Sequence, residues 1–171
     1  KSLSKRDFKR IIEPLKKFGA KFKGKFGKLP ITIEGTNNAV PINYYEKKGS
    51  AQCKSSVMLA ALNTKGRTFI KAKKSRNHTE LLFQHLKLPI KIRTKKNHDM
   101  IEINGVKTVK SINYQIPADI SSSSFFIVLT ILSKESELVI KKVNINSSRM
   151  GILKILKLMN IKIIIKNRKN Y

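Results

Sequence analysis

Three arginines stand where amphipathic runs begin: Arg76 follows Ser75, Arg149 follows Ser148 and Arg6 follows Lys5. A cation at a helix start opposes the helix dipole, at a cost of a few tenths to about 1 kcal/mol. Helix N-termini instead attract anions, and Arg adds a planar fork that grips carboxylate or phosphate through two bonds. The recurrence points to an anion held between helix starts and guanidinium groups. For each arginine taken singly, the alternative is a solvated side chain beside an ordinary Ser cap. The stretch "GSAQCKSSVMLAALNTKG", residues 49–66, fits the first reading. Gly49 lets the backbone approach a ligand, Ser50 is an N-cap candidate, and Gln52 offers a donor pair one turn in. Serines 121–124, after "PAD", form an analogous start, with Asp119 as its carboxylate cap.

Other chemistry is thinly represented. His78, His85 and His98 have no Cys or carboxylate partners at metal-ligand spacing. Cys53 lies inside an apolar run with no neighbouring His, so it reads as a buried thiol rather than a nucleophile. There is neither a Walker loop nor a G-x-G-x-x-G motif. On these residues alone the chain is an anion-binding α/β domain without an acid/base pair.

The elements that must position these residues follow from periodicity. Helices are expected near 7–18, 50–63, 76–87, 122–133 and 149–159. Strands are expected near 30–34, 41–45, 67–72, 89–93, 99–103, 111–116, 137–142 and 161–165, with "FKGKFGKLP" and "RTKKNHD" as turns or loops. An internal repeat organises them. "SAQCKSSVMLAALNTKGRTFIKAKKSRNHTELLFQHLKLPIKI" lies on "SSSSFFIVLTILSKESELVIKKVNINSSRMGILKILKLMNIKI", setting Leu62, Ile70 and Arg76 on Leu132, Ile140 and Arg149. "SKRDFKRIIEPLKKFGAKF" reads as the tail of a third copy. The expected fold is α/β, from repeated βαβαββ units packed around a shared pseudo-threefold axis.

A chain of 171 residues suits one domain. With 40% apolar residues in periodic order it should bury a core. It lacks an initiator Met and stops soon after an apolar run, so it reads as a piece of a longer protein. The net charge of +27 suggests nucleic acid first. Yet 30 of the 37 basic residues are Lys, and 23 Ile and 13 Asn accompany them. All three have A/T-rich codons, and the lysines are scattered rather than striped. Composition drift plus a small anionic ligand is the preferred account, and a basic nucleic-acid-binding domain is the alternative. The single cysteine suits a reducing compartment. No run approaches the ~20 apolar residues of a membrane span, so a soluble, cytoplasmic chain is expected.

The blocks "SLSKR", "GSAQCKSSVMLAALNT", "SRNHTE", "PADISSSSFF" and "NSSRMGILKILKLMNI" resemble, in order and near their spacing, the 5-enolpyruvylshikimate-3-phosphate synthase family in its bacterial Ser-Ala-Gln class. The resemblance runs over residues 2–163, and a related enolpyruvyl transferase acting on a nucleotide sugar lacks the Ser-Ala-Gln and Ser-Arg-x-His-Thr-Glu pair. It implies two domains of three βαβαββ units each (an inverse α/β barrel), with residues 1–171 as most of the N-terminal one and the facing domain absent. It also implies transfer of the enolpyruvyl group of phosphoenolpyruvate to the 5-hydroxyl of shikimate 3-phosphate, a step towards chorismate and the aromatic amino acids. Ser50, Ala51, Gln52 and Arg76 match contacts to shikimate 3-phosphate, and Arg6 and Gln52 match contacts to phosphoenolpyruvate. No cofactor, metal, membrane or specific nucleic acid is implied, and the full-length protein is expected to be a monomer. The family's catalytic residues lie in segments that this chain does not contain, so the chain should be inactive alone.

Overall fold

The computed structural model describes residues 3–168, which divide into two compact units, one up to Lys110 and one from Ser111. The chain is α/β, as expected.

The first unit opens with a 3-10 turn (Leu3–Lys5), helix α1 (Lys9–Lys17) and a hairpin of β1 (Lys21–Gly24) and β2 (Ile31–Glu34). Strand β1 falls where the sequence reads as a turn. Its two Lys residues and terminal glycine hide the alternation, but Phe22 pairs with Ile33, and the turn itself occupies 25–30, where Phe26 and Gly27 take positive φ. Then follow β3 (Asn43–Glu46), α2 (Ala51–Leu62), β4 (Arg67–Lys73), α3 (His78–His85), β5 (Ile90–Thr94) and β6 (His98–Asn104). This is one complete βαβαββ unit. Its sheet runs β3-β4-β6-β5, with β3 parallel to β4 and the other pairs antiparallel.

Period-two patterning builds the core. In β4 the inward positions Thr68, Ile70 and Ala72 are buried, and in β6 Asp99, Ile101 and Ile103 are. Register sets Ile70 opposite Ile101 and Ile92 opposite the same residue from the other side. Helix α2 lays Val57, Met58, Ala61 and Leu62 over this face. Each large apolar side chain so buried contributes about 1.5–3 kcal/mol. Helix α2, fixed against the sheet, therefore holds its own N-terminus in place.

The second unit contains α4 (Ile120–Leu132), a 3-10 turn (Ser147–Arg149) and α5 (Gly151–Leu158). Arg149 thus closes a 3-10 turn instead of opening the helix. The strands expected at 111–116, 137–142 and 161–165 are not formed. One parallel bridge, Ala118 to Val143, stands in that region, made by Ala118 N–H to Lys142 O and Asn144 N–H to Ala118 O, each 2.8 Å. The β-branched runs are present, but a strand exists only through its neighbour. Val139 and Ile164 remain 69% and 65% exposed with no ladder beside them. The repeat is therefore realised as a complete unit in the first copy and as its helices in the second.

Candidate functional site

The chain leaves β3 through a tightly bonded turn. Glu46, buried at the strand's end, accepts from Lys48 N–H at 3.0 Å and Gly49 N–H at 2.6 Å. Gly49 takes φ +72°, and a Cβ there would lie 3.3 Å from Lys74 O, so only glycine turns the chain here without strain. Ser50 then caps α2, its Oγ accepting from Cys53 N–H at 3.3 Å, while Lys54 N–H bonds to Ser50 O. The Ala51 and Gln52 amides have no acceptor among the described residues, as expected of a helix's first turn. Beneath it, burial and the neighbouring Cys53, Glu46 and Glu13 push the Tyr44 hydroxyl up to about 12, so it stays neutral.

The Gln52 side chain is exposed, and its Oε1 accepts from Arg10 Nη2 of α1 at 2.9 Å. That bond directs the carbonyl towards Arg10 and leaves the amide NH2 as the donor. Arg76 is exposed shortly before the start of α3 and has neither hydrogen bond nor ion pair among the described residues. Arg6 is likewise exposed and unpaired, in the bend between the 3-10 turn and α1. It lies further from its helix start than the sequence suggests. Its neighbour Asp7 accepts from Lys9 N–H at 2.8 Å, turning its carboxylate towards the start of α1.

The structure thus gathers Ser50, Ala51 and Gln52 at one helix start. It ties that start to α1 through Arg10. Two bonds tie α2 to α3: Ser55 Oγ lies 2.7 Å from Thr79 Oγ1, and Lys54 Nζ lies 2.5 Å from Glu80 Oε1. No direct contact joins Arg6 to Ser50, Gln52 or Arg76 among the described residues. Arg10, Glu46, Lys54 and Glu80 escape the sequence reading. A signal for Lys54 does exist: it precedes Met58 by one turn on the buried face, where a charge demands an acidic partner, and the chain has only 10 acidic residues.

The second copy handles its helix start differently. Asp119 caps α4, accepting from Ser121 N–H at 3.1 Å and from Ser122 Oγ at 3.3 Å. Arg149 Nη2 lies 2.9 Å from Asp119 Oδ1 and also touches Ser121 Oγ. The Ser121 N–H bond, with Arg149 as the lesser contributor, holds the Asp119 carboxyl below the usual carboxylate range. Here the protein supplies its own anion. Ala118, just before it, does not take a positive φ. Among the described residues no three His, Cys, Asp or Glu side chains are grouped as a metal ion would need.

The open start at Ser50 and the exposed Arg6 and Arg76 are features suited to anions, and comparison with known proteins gives the chain a family. The family model for EPSP synthase (3-phosphoshikimate 1-carboxyvinyltransferase) matches residues 1–170. The 3-phosphoshikimate 1-carboxyvinyltransferase of Petrotoga mobilis is 41% identical over 98% of this chain and 39% of its own length. That of Caldicellulosiruptor bescii is 40% identical over 99% of this chain and 40% of its own. A solved EPSP synthase from Acinetobacter baumannii covers 93% of this chain with 36% of its own, at TM-score 0.75 and 34% identity. The chain therefore spans about two fifths of the length of the relatives it matches. A sequence match over essentially every residue, with agreement in fold, makes this chain a member of the EPSP synthase (3-phosphoshikimate 1-carboxyvinyltransferase) family.

Proposed function

We propose that this chain is most of the N-terminal domain of an enzyme that transfers the enolpyruvyl group of phosphoenolpyruvate to the 5-hydroxyl of shikimate 3-phosphate, releasing phosphate. The observation that carries the reading is the start of α2, where the Ala51 and Gln52 amides and the Gln52 side-chain NH2 remain as donors beside the Ser50 cap. A phosphate there completes the first turn's bonding and meets the positive end of the helix dipole. Arg76, unpaired among the described residues and shortly before the next helix of the same unit, grips shikimate 3-phosphate by its fork. Arg6 and Gln52 bind phosphoenolpyruvate.

Binding is the part this chain performs. The hydroxyl must lose a proton and the methylene of phosphoenolpyruvate must gain one, and each transfer needs a positioned acid or base. We assign those groups to the facing domain and the remaining segments of the full-length enzyme, a cytoplasmic monomer. No helix among the described residues is long and apolar enough to cross a membrane.

Isothermal titration of the chain with shikimate 3-phosphate tests the reading, alongside a phosphate-release assay with both substrates. Saturable uptake without turnover is expected. Turnover by this chain alone would overturn the assignment of chemistry to the facing domain, and no uptake would overturn the site.

A further inference from the structure

Lys54 and Glu80 form an ion pair that solvent does not reach, their side chains 0% and 4% exposed. Charge rather than hydrogen bonding holds them, since neither Lys54 Nζ nor either carboxylate oxygen has a hydrogen-bond partner among the described residues. Stability does not explain such a pair. Desolvating two charges offsets their attraction, and apolar replacements of similar size commonly fold as well or better.

What the pair joins is more informative. Lys54 lies one turn inside α2 from Ser50, and Glu80 is the third residue of α3, whose start follows Arg76. The Ser55–Thr79 hydroxyl bond runs beside it. Both cross-links sit directly behind the two helix starts that carry the anion-binding residues, yet neither charged side chain can touch a ligand. Apolar side chains slide past one another with little penalty, whereas an ion pair favours one separation.

We propose that Lys54 and Glu80 are positioning residues that fix the start of α3 against the start of α2, so that Arg76 reaches an anion seated on Ser50, Ala51 and Gln52. The inference rests on the anion site proposed above. A guanidinium fork is sensitive to displacement of an ångström, which ordinary packing tolerates.

The test compares Lys54→Met, Glu80→Leu, their double variant and Glu80→Gln, the mildest change. Three quantities are read: thermal midpoint, affinity for shikimate 3-phosphate, and the ligand-free NMR resonances of the Ser50 and Gln52 amides and the Arg76 Nε–H. Each apolar single variant leaves a buried charge unpaired and is expected to lose stability or fail to fold. The double variant should recover the midpoint to within a few degrees while its affinity stays weaker by about tenfold or more. The Arg76 resonance should shift or broaden in both the double variant and Glu80→Gln. A double variant with wild-type midpoint, affinity and resonances would reduce the pair to packing and overturn the proposal, as would an unmoved Arg76 resonance in Glu80→Gln. A wild-type chain that takes up no shikimate 3-phosphate defeats the anion site instead, and the ligand-free resonances still decide whether the pair sets the two helix starts.

Discussion

The helix starts at Ser50 and at Ile120 occupy equivalent places in a repeat, and each is followed by an arginine at the corresponding later position. At the first, a neutral hydroxyl caps the helix, two amides stay open, and Arg76 is unpaired among the described residues. At the second, the Asp119 carboxylate takes the amide of Ser121 and the fork of Arg149 together. The difference is one negative charge. Supplied by a side chain, it closes the helix start; left out, it leaves the start open to the anion proposed above. Arginine after a Ser-rich helix is therefore not itself a binding signature in this chain, because the capping residue decides whether the guanidinium is available.

The most severe challenge to this contrast is to write the second start into the first. Ser50→Asp would cap α2 at least as well as serine while placing a carboxylate at the proposed phosphate position. Loss of shikimate 3-phosphate affinity by about a hundredfold or more is expected in isothermal titration, from lost donors and like-charge repulsion together. Retained affinity would mean that the ligand sits elsewhere.

Removing the arginines one at a time is the next step. Arg76→Ala should weaken binding by about tenfold to a hundredfold, the worth of a charge-assisted contact of ~1.5–3 kcal/mol. Arg76→Lys should recover little, since the fork is lost. Arg149→Ala should leave affinity within about twofold, its fork being engaged by Asp119. Equal losses at the two positions would mean bulk charge and not a site.

The closed start can be examined through its own titration. The folded Asp119 carboxyl lies below its unfolded range, chiefly through the Ser121 N–H bond. The folded state therefore holds the proton more weakly than the unfolded one. The resulting stabilisation is present above the unfolded carboxylate's range and is lost as pH falls through the folded value. Carbonyl NMR of Asp119 should show Arg149→Ala returning the midpoint only part of the way, because the backbone bond remains. Complete return would make Arg149 the principal cause.

The smallest effect concerns the remaining cations. If the charge of +27 is diffuse, duplex DNA should bind weakly and let go by physiological salt, as counterion release requires. Affinity that survives such salt and prefers a sequence would favour the nucleic-acid alternative.

Features that rest on neighbours along the chain are legible in the amino-acid order. The Ser50 cap, the left-handed turn at Gly49, the apolar face of α2 and the alternation in β4 and β6 all follow from residues within a turn or a pleat of one another. The βαβαββ order of the first copy is legible for the same reason, because its turns and periods are local signals. Strand β1 is obscured by its two lysines and its terminal glycine. The β-rich runs of the second copy show that propensity proposes a strand that only a partner strand can make.

Amino-acid order dictates which stretches become helices, which face they bury, and that the chain carries an α/β repeat with residues suited to anions. Which arginine is available is settled by folding alone. Folding brings Arg10 to Gln52 across 42 residues, sets Lys54 against Glu80 between two helices, and engages Arg149 on Asp119 while leaving Arg76 unpaired among the described residues. The physical reason is range. Caps and periodicities act over a few residues, whereas the pairing of a charge depends on which distant segment the folded sheet and helices deliver beside it.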